Sequence, residues 1–168
     1  KKGSMKNMKV KKYLMMKTEF WMTGKTNHNY LNSGIDLYAK RIKHFTSFDI
    51  REIKIPKAKS PEEVIQSEQD QILKLLQPND RLILLDEKGK IFTSIEFSKY
   101  VQQQFNTSPN RLIFLIGGAY GFGPELYKRA NSLISLSKFT FPHDLVRIIF
   151  LEQFYRCLTI LNNHPYQH

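Results

Sequence analysis

The sequence contains one cysteine, Cys157, among 168 residues. A lone thiol excludes an intrachain disulfide framework and the paired-cysteine motifs of zinc and redox sites, and it is typical of a reducing compartment such as the cytoplasm. Cys157 lies in the middle of an apolar stretch, which favours an inert core thiol over a reactive one. Chemistry that depends on a cysteine nucleophile is therefore not expected.

Long hydrophobic runs are also missing. The most apolar stretch, residues 145–161, is interrupted by two arginines, a glutamate and a glutamine. A membrane-spanning helix needs about 20 predominantly apolar residues, so this stretch is predicted to be a buried helix instead. The apolar run at residues 13–16 is too short for a secretory signal peptide.

Acidic residues are scarce: 15 of them stand against 26 lysines and arginines, which gives a net charge of +11. Such a balance favours a polyanionic partner such as nucleic acid. Six of the lysines lie in residues 1–15, where there is no acidic residue, so the remaining chain carries only +5. We interpret residues 1–15 as a basic leader, from a tag or a mis-assigned start, and residues 16–168 as a single domain.

Strand-like and helix-like segments alternate along the chain. This order predicts an α/β fold with a mostly parallel sheet that is flanked by helices. Strands are predicted at residues 18–22, 48–55, 81–85, 112–116 and 133–136, and helices at about 29–45, 60–76, 94–106, 124–130 and 144–162. Residues 86–90 are predicted to form a polar turn. Because the last helix is apolar nearly all round, we expect one face on the sheet and the other on a second subunit.

A glycine cluster, Gly117-Gly118-Ala119-Tyr120-Gly121-Phe122-Gly123, directly follows the most apolar predicted strand. Backbone without Cβ atoms at a strand end lets a ligand approach main-chain N–H groups closely. The spacing is neither that of a dinucleotide-binding fingerprint nor that of a P-loop. A ligand-binding loop and a tight turn without a ligand both remain open here.

Two polar pairs stand on the last predicted helix, and each has two interpretations. His143 beside Asp144 is either a base oriented by a carboxylate or a capping or packing residue at the helix start. Glu152 and Arg156 are spaced for a helix salt bridge, but an arginine in an apolar helix can also bind phosphate.

The C-terminal segment, residues 162–168, is rich in histidine, tyrosine and asparagine, which suit hydrogen bonding, proton transfer and base stacking. His164 and His168 are four residues apart, but Pro165 between them argues against a shared helical metal-binding face. No metal site is predicted.

Four segments carry a family resemblance when they are taken in order. They are Leu85-Asp86-x-x-Gly89-Lys90, Leu115-Ile116-Gly117-Gly118-x-x-Gly121, residues 136–143 followed by Val146-Arg147 and Glu152-x-x-Tyr155-Arg156, and Asn163-His164-Pro165-Tyr166. Together they resemble the ribosomal large-subunit methyltransferase H family of the SPOUT superfamily. The resemblance extends over residues 16–168.

The resemblance implies a trefoil-knotted α/β domain, a homodimer in the cytoplasm, and methyl transfer from S-adenosylmethionine to N3 of a pseudouridine in 23S rRNA. The cofactor contacts implied by the motifs are Leu85, Gly117, Leu136, Ser137, Lys138, Phe139, Thr140 and Phe141. The implied RNA contacts are Arg147 and Arg156. No metal or covalent enzyme intermediate is needed for this chemistry.

The candidate catalytic residues are His164, Arg156, Tyr166 and His168. We expect Arg156 and the C-terminal segment to hold the nucleotide, His164 to accept the N3 proton, and His143 to shape the loop before the last helix. The segment departs from the family at Gln167, where the resemblance implies a histidine after the tyrosine, so that role falls to His168 or is absent.

Two alternatives remain open at this point. One is a SPOUT methyltransferase that acts on tRNA or another rRNA site. The other is a non-catalytic RNA-binding or ribosome-assembly protein, which would keep the fold but bind no S-adenosylmethionine.

Overall fold

The computed structural model describes residues 13–54 and 59–166, and within these ranges the chain forms five strands and five helices. The strands are β1 (Lys17–Thr23), β2 (Ser47–Ile53), β3 (Asp80–Ile91), β4 (Arg111–Ile116) and β5 (Ser132–Ser135). The helices are α1 (Asn29–Lys43), α2 (Pro61–Leu75), α3 (Ser94–Asn106), α4 (Pro124–Arg129) and α5 (His143–Leu161). The predicted α/β architecture is confirmed. Residues 1–12, Gln167 and His168 lie outside the described residues.

The strands form one sheet in the order β2-β1-β4-β3-β5, and every neighbouring pair is parallel. Helices α1, α3 and α5 cover one face of the sheet, and α2 and α4 cover the other. All six residues of β4 are buried, as expected for a strand that is covered on both faces. The carboxyl ends of β3, β4 and β5 therefore meet at one edge. The trefoil knot stays a prediction.

Capping residues explain why two helix starts match the sequence pattern. The Glu63 backbone N–H donates to Ser60 Oγ at 3.2 Å, and the Lys59 N–H donates to Glu63 Oε2 at 2.8 Å. At α3, Thr93 and Glu96 form a reciprocal capping box. Each arrangement satisfies backbone donors that a helix start leaves free, so both helices begin where the side chains permit.

The predicted turn at residues 86–90 is wrong, because β3 continues through it to Ile91. The extension pairs with β5 across a bulge in which Leu85 and Lys90 both oppose Ile134. A Cβ on Gly89 would lie 2.4 Å from the backbone nitrogen of Ile134, so only glycine permits this approach. The polar composition that is typical of a turn belongs here to a bent strand.

Helix α5 is buried over most of its surface. Phe150 and Phe154 pack against Phe114 at ring distances of 4.9 and 5.3 Å, and Cys157 is fully buried. Helices α1 and α3 of the same chain cover much of the surface that we expected a second subunit to cover. What remains is a narrower, partly exposed stripe that includes Leu145, Ile149, Gln153 and Ile160.

Tyr13 belongs to the folded body although it falls within the predicted leader. Its ring lies 5.3 Å from that of Phe105, and its hydroxyl accepts a hydrogen bond from Gln102 Nε2 at 3.0 Å. The part of the leader that the structure describes thus includes one core residue.

Candidate active site

A cavity of about 940 Å³ opens at the carboxyl ends of β3, β4 and β5. Ligands of open α/β sheets bind in this position, outside the ends of the strands. The structure brings all eight predicted cofactor residues to its lining: Leu85, Gly117, Leu136, Ser137, Lys138, Phe139, Thr140 and Phe141. Three segments that are far apart in sequence therefore form one pocket: the bent part of β3, the loop after β4 and the loop after β5.

The glycine loop, residues 117–123, forms one wall of this pocket, and helix α2 contacts the loop on the side away from the pocket. Glu68 and Gln69 are adjacent polar residues on α2, only 4% and 3% exposed. The Glu68 carboxylate accepts a hydrogen bond from the Gly118 backbone, and a Cβ on Gly118 would lie 2.6 Å from Glu68 Oε1. Gln69 Oε1 accepts from the Glu125 backbone N–H at 2.8 Å, just beyond the loop.

Burial raises the pKa of Glu68, and the Gly118 hydrogen bond opposes that shift. Our sequence analysis missed both Glu68 and Gln69. The available signal was spacing, because Glu68 lies three residues after Ile65 and four before Ile72, on the apolar face of the helix. A carboxylate at such a position must find a hydrogen-bond donor in the interior, and here the donor belongs to the pocket wall.

Asp86 and Tyr127 form a second polar contact in the lining. The Tyr127 hydroxyl donates to Asp86 Oδ2 at 2.6 Å, and the Lys88 ammonium lies 5.7 Å from the centre of the tyrosine ring. Burial and the hydrogen bond to Asp86 raise the pKa of Tyr127 to about 12. The neutral phenol thus fixes a carboxylate at the pocket, where it would attract a cationic ligand.

The loop after β5 forms the outer rim. The Phe139 backbone N–H donates to Ser137 Oγ at 2.9 Å, and Ser135 Oγ donates to the Ser137 carbonyl at 3.0 Å. Phe139 is 82% exposed, so a large apolar ring stands in solvent beside the pocket. The two hydrogen bonds fix the local backbone of the rim.

His143 lines the same cavity as the first residue of α5. The carboxylate expected to orient it is engaged elsewhere: Asp144 Oδ2 accepts from the Asn27 backbone N–H at 3.1 Å, and Asp144 Oδ1 lies 3.7 Å from Arg147 Nη1. The arrangement does not show the predicted pair of a base and its orienting carboxylate. His143 as a residue that shapes the loop stays a prediction.

Arg147, which the resemblance implies as an RNA contact, is buried in this structure. Its side chain is buried, with Nη1 donating to Thr26 Oγ1 at 2.7 Å and Nη2 donating to the Thr23 carbonyl at 2.8 Å. These bonds attach the end of β1 and the following loop to α5. The guanidinium thus satisfies a buried backbone carbonyl and a buried threonine hydroxyl.

Arg156 lies at the other end of α5 in a salt bridge with Glu152. Arg156 Nη2 is 2.5 Å from Glu152 Oε1, which also accepts a hydrogen bond from the Tyr166 hydroxyl at 3.3 Å. The guanidinium carbon lies 4.9 Å from the centre of the Tyr166 ring. The helix salt bridge is therefore present, and the guanidinium is part of a cluster with the C-terminal segment.

The C-terminal segment folds back against the end of α1. The His164 ring meets the Phe45 ring edge-on at 5.9 Å, and the Tyr166 ring meets Tyr155 edge-on at 4.7 Å. Burial and a hydrogen bond with Tyr38 raise the pKa of Tyr166 to about 12. Arg156, His164 and Tyr166, three of the four candidate catalytic residues, are thus brought together. The fourth, His168, lies outside the described residues.

The pocket and this cluster lie towards opposite ends of one helix. Arg156 follows the pocket residue His143 by thirteen positions, which corresponds to a rise of about 20 Å along an α-helix. Within one chain, therefore, a ligand in the pocket and a group held by the cluster would be too far apart to react with each other. The sequence motifs did not show this separation.

The described residues contain neither a membrane-spanning helix nor a metal-binding cluster. No helix in residues 13–54 and 59–166 combines the length and apolar character needed to cross a membrane. In the same ranges, no group of three or more histidine, cysteine, aspartate or glutamate residues is arranged to hold a metal ion.

Comparison with known proteins gives close matches over nearly the full length. A family model described as "Predicted SPOUT methyltransferase" matches residues 16–168. The chain is 47% identical over 156 residues to the Ribosomal RNA large subunit methyltransferase H of Parabacteroides distasonis, covering 91% of this chain and 99% of that protein. It is 48% identical over 155 residues to the protein of the same name from Cytophaga hutchinsonii, covering 91% and 100%.

Similarity to solved structures is weaker. The SpoU methyltransferase AviRb from Streptomyces viridochromogenes matches with a TM-score of 0.46 and 12% identity, over 88% of this chain and 61% of that chain.

Proposed function

Because this chain belongs to the SPOUT methyltransferase family, we propose that it transfers the methyl group of S-adenosylmethionine to N3 of a pseudouridine in 23S rRNA. The observation that carries the proposal is the end-to-end similarity to two proteins named Ribosomal RNA large subunit methyltransferase H, at 47% and 48% identity. The proposed substrate places the protein in the cytoplasm with the ribosome. Residues 16–168 would form the single catalytic domain.

The pocket has the size and lining that S-adenosylmethionine requires. Its volume of about 940 Å³ lies within the usual range for small-ligand sites. Leu85, Gly117 and residues 136–141 would hold the cofactor, largely through backbone groups, and the Asp86 carboxylate suits a ligand with positive charge. When bound, S-adenosylmethionine supplies an electrophilic methyl group on a cationic sulfur.

We further propose a homodimer in which the C-terminal segment of one protomer meets the pocket of its partner. The support is geometric, because the two halves of the candidate site lie towards opposite ends of α5 and one chain cannot join them. The partly exposed stripe along α5, with Leu145, Ile149 and Ile160, offers an apolar surface for a second copy. Each active site would then contain residues of both protomers.

The residues of the C-terminal cluster would act on the nucleotide. The N3 position of the base must lose its imide proton before it can attack a methyl group, and His164, which is exposed, is our candidate for the acceptor. Arg156 is oriented by Glu152 and would stabilise the N3 anion or a neighbouring phosphate. His168 remains a second candidate for the acceptor.

The test uses purified protein with methyl-labelled S-adenosylmethionine and, separately, whole ribosomes, large subunits and tRNA. We expect label in 23S rRNA, and nucleoside mass spectrometry should identify N3-methylpseudouridine. Label in tRNA alone would assign a different substrate. Absence of cofactor binding by calorimetry would favour the non-catalytic alternative.

Arg156→Ala and His164→Ala test the division of roles. Each should lower the rate of methylation by about 100-fold, a typical cost of removing a transition-state donor or a general base. The affinity for S-adenosylmethionine measured by calorimetry should not change, because both side chains are proposed to act on the nucleotide and not on the cofactor. Loss of cofactor binding in these variants would contradict the assignment.

A further inference from the structure

The C-terminal end of α1 carries a concentration of positive charge. Its last turn contains Lys40, Arg41 and Lys43, the next residue is His44, and the turn has no acidic residue. The two lysines and the histidine are exposed. We call Lys40, Lys43 and His44 the α1 basic surface.

This surface lies at the end of α1 that also contacts the C-terminal cluster. The Arg41 guanidinium, between the two lysines in sequence, lies 5.7 Å from the ring centres of both Tyr38 and Tyr155. Tyr155 in turn contacts Tyr166, and Phe45 contacts His164. The exposed lysines thus stand on the helix end against which the candidate catalytic residues are packed.

The lysine charges are not neutralised within the described part of the chain. No described carboxylate lies within 4.0 Å of the ammonium of Lys40 or Lys43, although Asp36 precedes Lys40 by one helical turn. The carboxylate of the neighbouring cluster, Glu152, is bound by Arg156 and Tyr166. Two exposed cations therefore remain available at the helix end that contacts the C-terminal cluster.

We infer that the α1 basic surface docks the RNA phosphate backbone beside the target nucleotide, an inference that rests on the proposed function. Phosphate contacts of lysine side chains set position and register without reading sequence. Such contacts suit a single-domain protein whose pocket binds the cofactor, because a surface outside the pocket must then position the RNA. In the proposed dimer, the surface accompanies the C-terminal segment to the partner's pocket and so flanks each composite site.

The test compares Lys40→Ala/Lys43→Ala with a matched double variant, Lys74→Ala/Lys128→Ala. The control lysines are also exposed and helical but lie on α2 and α4, on the opposite face of the sheet. Both variants lose two charges, so an effect of net charge alone would appear in both. The KM for ribosomes is measured over a range of salt concentrations, together with kcat and the Kd for S-adenosylmethionine.

We expect the α1 variant to raise the KM for ribosomes about tenfold near physiological salt and to reduce the slope of log KM against log salt by about 1.5 to 2. Its kcat at saturating ribosomes and its Kd for S-adenosylmethionine should match the wild type. Lys40→Arg/Lys43→Arg should restore both KM and slope because it keeps the charge.

If the α1 variant has the same KM and salt slope as the control variant, the α1 basic surface does not dock RNA. The proposed function would be unaffected by that result. A wild-type protein that methylates no ribosomal particle would overturn the proposed function itself, whatever the lysine variants do. An equal rise in the KM for ribosomes in both double variants would also refute the inference, because the effect would then follow from net charge.

Discussion

Arg111 and Asp80 form a buried ion pair at the amino ends of neighbouring strands. Arg111 Nη2 lies 2.5 Å from Asp80 Oδ2, and Arg111 Nε donates to Asp80 Oδ1 at 3.0 Å, while Glu19 lies 3.4 Å from Nη1. Burial alone would raise the pKa of Asp80, but hydrogen bonds from Arg111 and the Gln77 backbone hold it below its ordinary value. The pair joins β3 to β4 at the edge of the sheet opposite the pocket.

Asp80→Asn should lower the free energy of unfolding by about 3 kcal/mol at neutral pH, because it leaves the Arg111 charge buried without its main partner. Since the pKa of Asp80 is lowered in the folded state, its contribution is present above the unfolded value of about 3.9 and is lost as the pH falls through the folded value. Denaturant unfolding from neutral pH down to strongly acidic pH measures both effects.

The control for this prediction is Asp70→Asn, at an exposed carboxylate that accepts a hydrogen bond from Gln66. It should change stability by less than about 0.5 kcal/mol. Equal unfolding free energies for Asp80→Asn and the wild type at neutral pH would refute the argument.

The role of a residue was predictable from the sequence where its backbone position decides that role. It was not predictable where the direction of the side chain decides it. Leu85 lies just before the bulge in β3 and Gly117 directly follows β4, so backbone position alone brings both to the pocket. The burial of Arg147 was not predicted, because a sequence does not show which side of an apolar helix faces the interior. Glu68 was missed because its partner, Gly118, is fifty residues away.

At the level of elements, the support of the glycine loop by α2 predicts an effect on the cofactor. Glu68→Ala removes the acceptor of the Gly118 backbone hydrogen bond, which is worth about 1 to 1.5 kcal/mol. We expect the affinity for S-adenosylmethionine to fall about tenfold. Calorimetry measures the affinity, and thermal unfolding shows whether the variant remains folded.

Two further variants distinguish a loss of loop positioning from a general loss of structure. Glu68→Gln keeps an acceptor oxygen and should retain most of the affinity. Gln66→Ala, at an exposed position on the same helix, should bind as the wild type does. A Glu68→Ala protein with unchanged affinity would show that the loop holds its shape without this bond.

Helix boundaries were predicted well and one strand was not, for physical reasons. Capping side chains such as Ser60 and Thr93 act within three residues, so their effect can be predicted locally. The extension of β3 depends on the approach of the Ile134 backbone to Gly89, a contact between segments far apart in sequence. The composition of residues 86–90 is typical of a turn, and only the pairing with β5 makes it a strand.

At the level of the whole molecule, the separation of pocket and C-terminal cluster predicts complementation between protomers. Gly118→Leu should displace the glycine loop and so disrupt the pocket, because even a Cβ there would lie 2.6 Å from Glu68 Oε1, and Arg156→Ala should disable the cluster. Each variant alone should be nearly inactive. If protomers assort randomly after co-expression, half of the dimers are mixed and each has one intact composite site, so about a quarter of the wild-type activity should return.

The measurement is methylation of ribosomes by the co-expressed mixture, with dimer formation checked by analytical ultracentrifugation. Mixing the two purified homodimers without subunit exchange provides the negative control. Recovery no greater than in that control would contradict a site shared between protomers. Thermal unfolding of each homodimer confirms that the losses do not arise from misfolding.

The fully buried thiol of Cys157 reports on the integrity of the whole site. Burial raises the pKa of this thiol, so in the folded protein it is both unreactive and inaccessible to reagents. Labelling therefore requires α5 to separate from the sheet. This helix carries the pocket residue His143 at its start and the candidate catalytic residue Arg156 near its end. The rate of Cys157 modification should thus measure how often the active site opens as a unit, and S-adenosylmethionine should slow it in proportion to its occupancy.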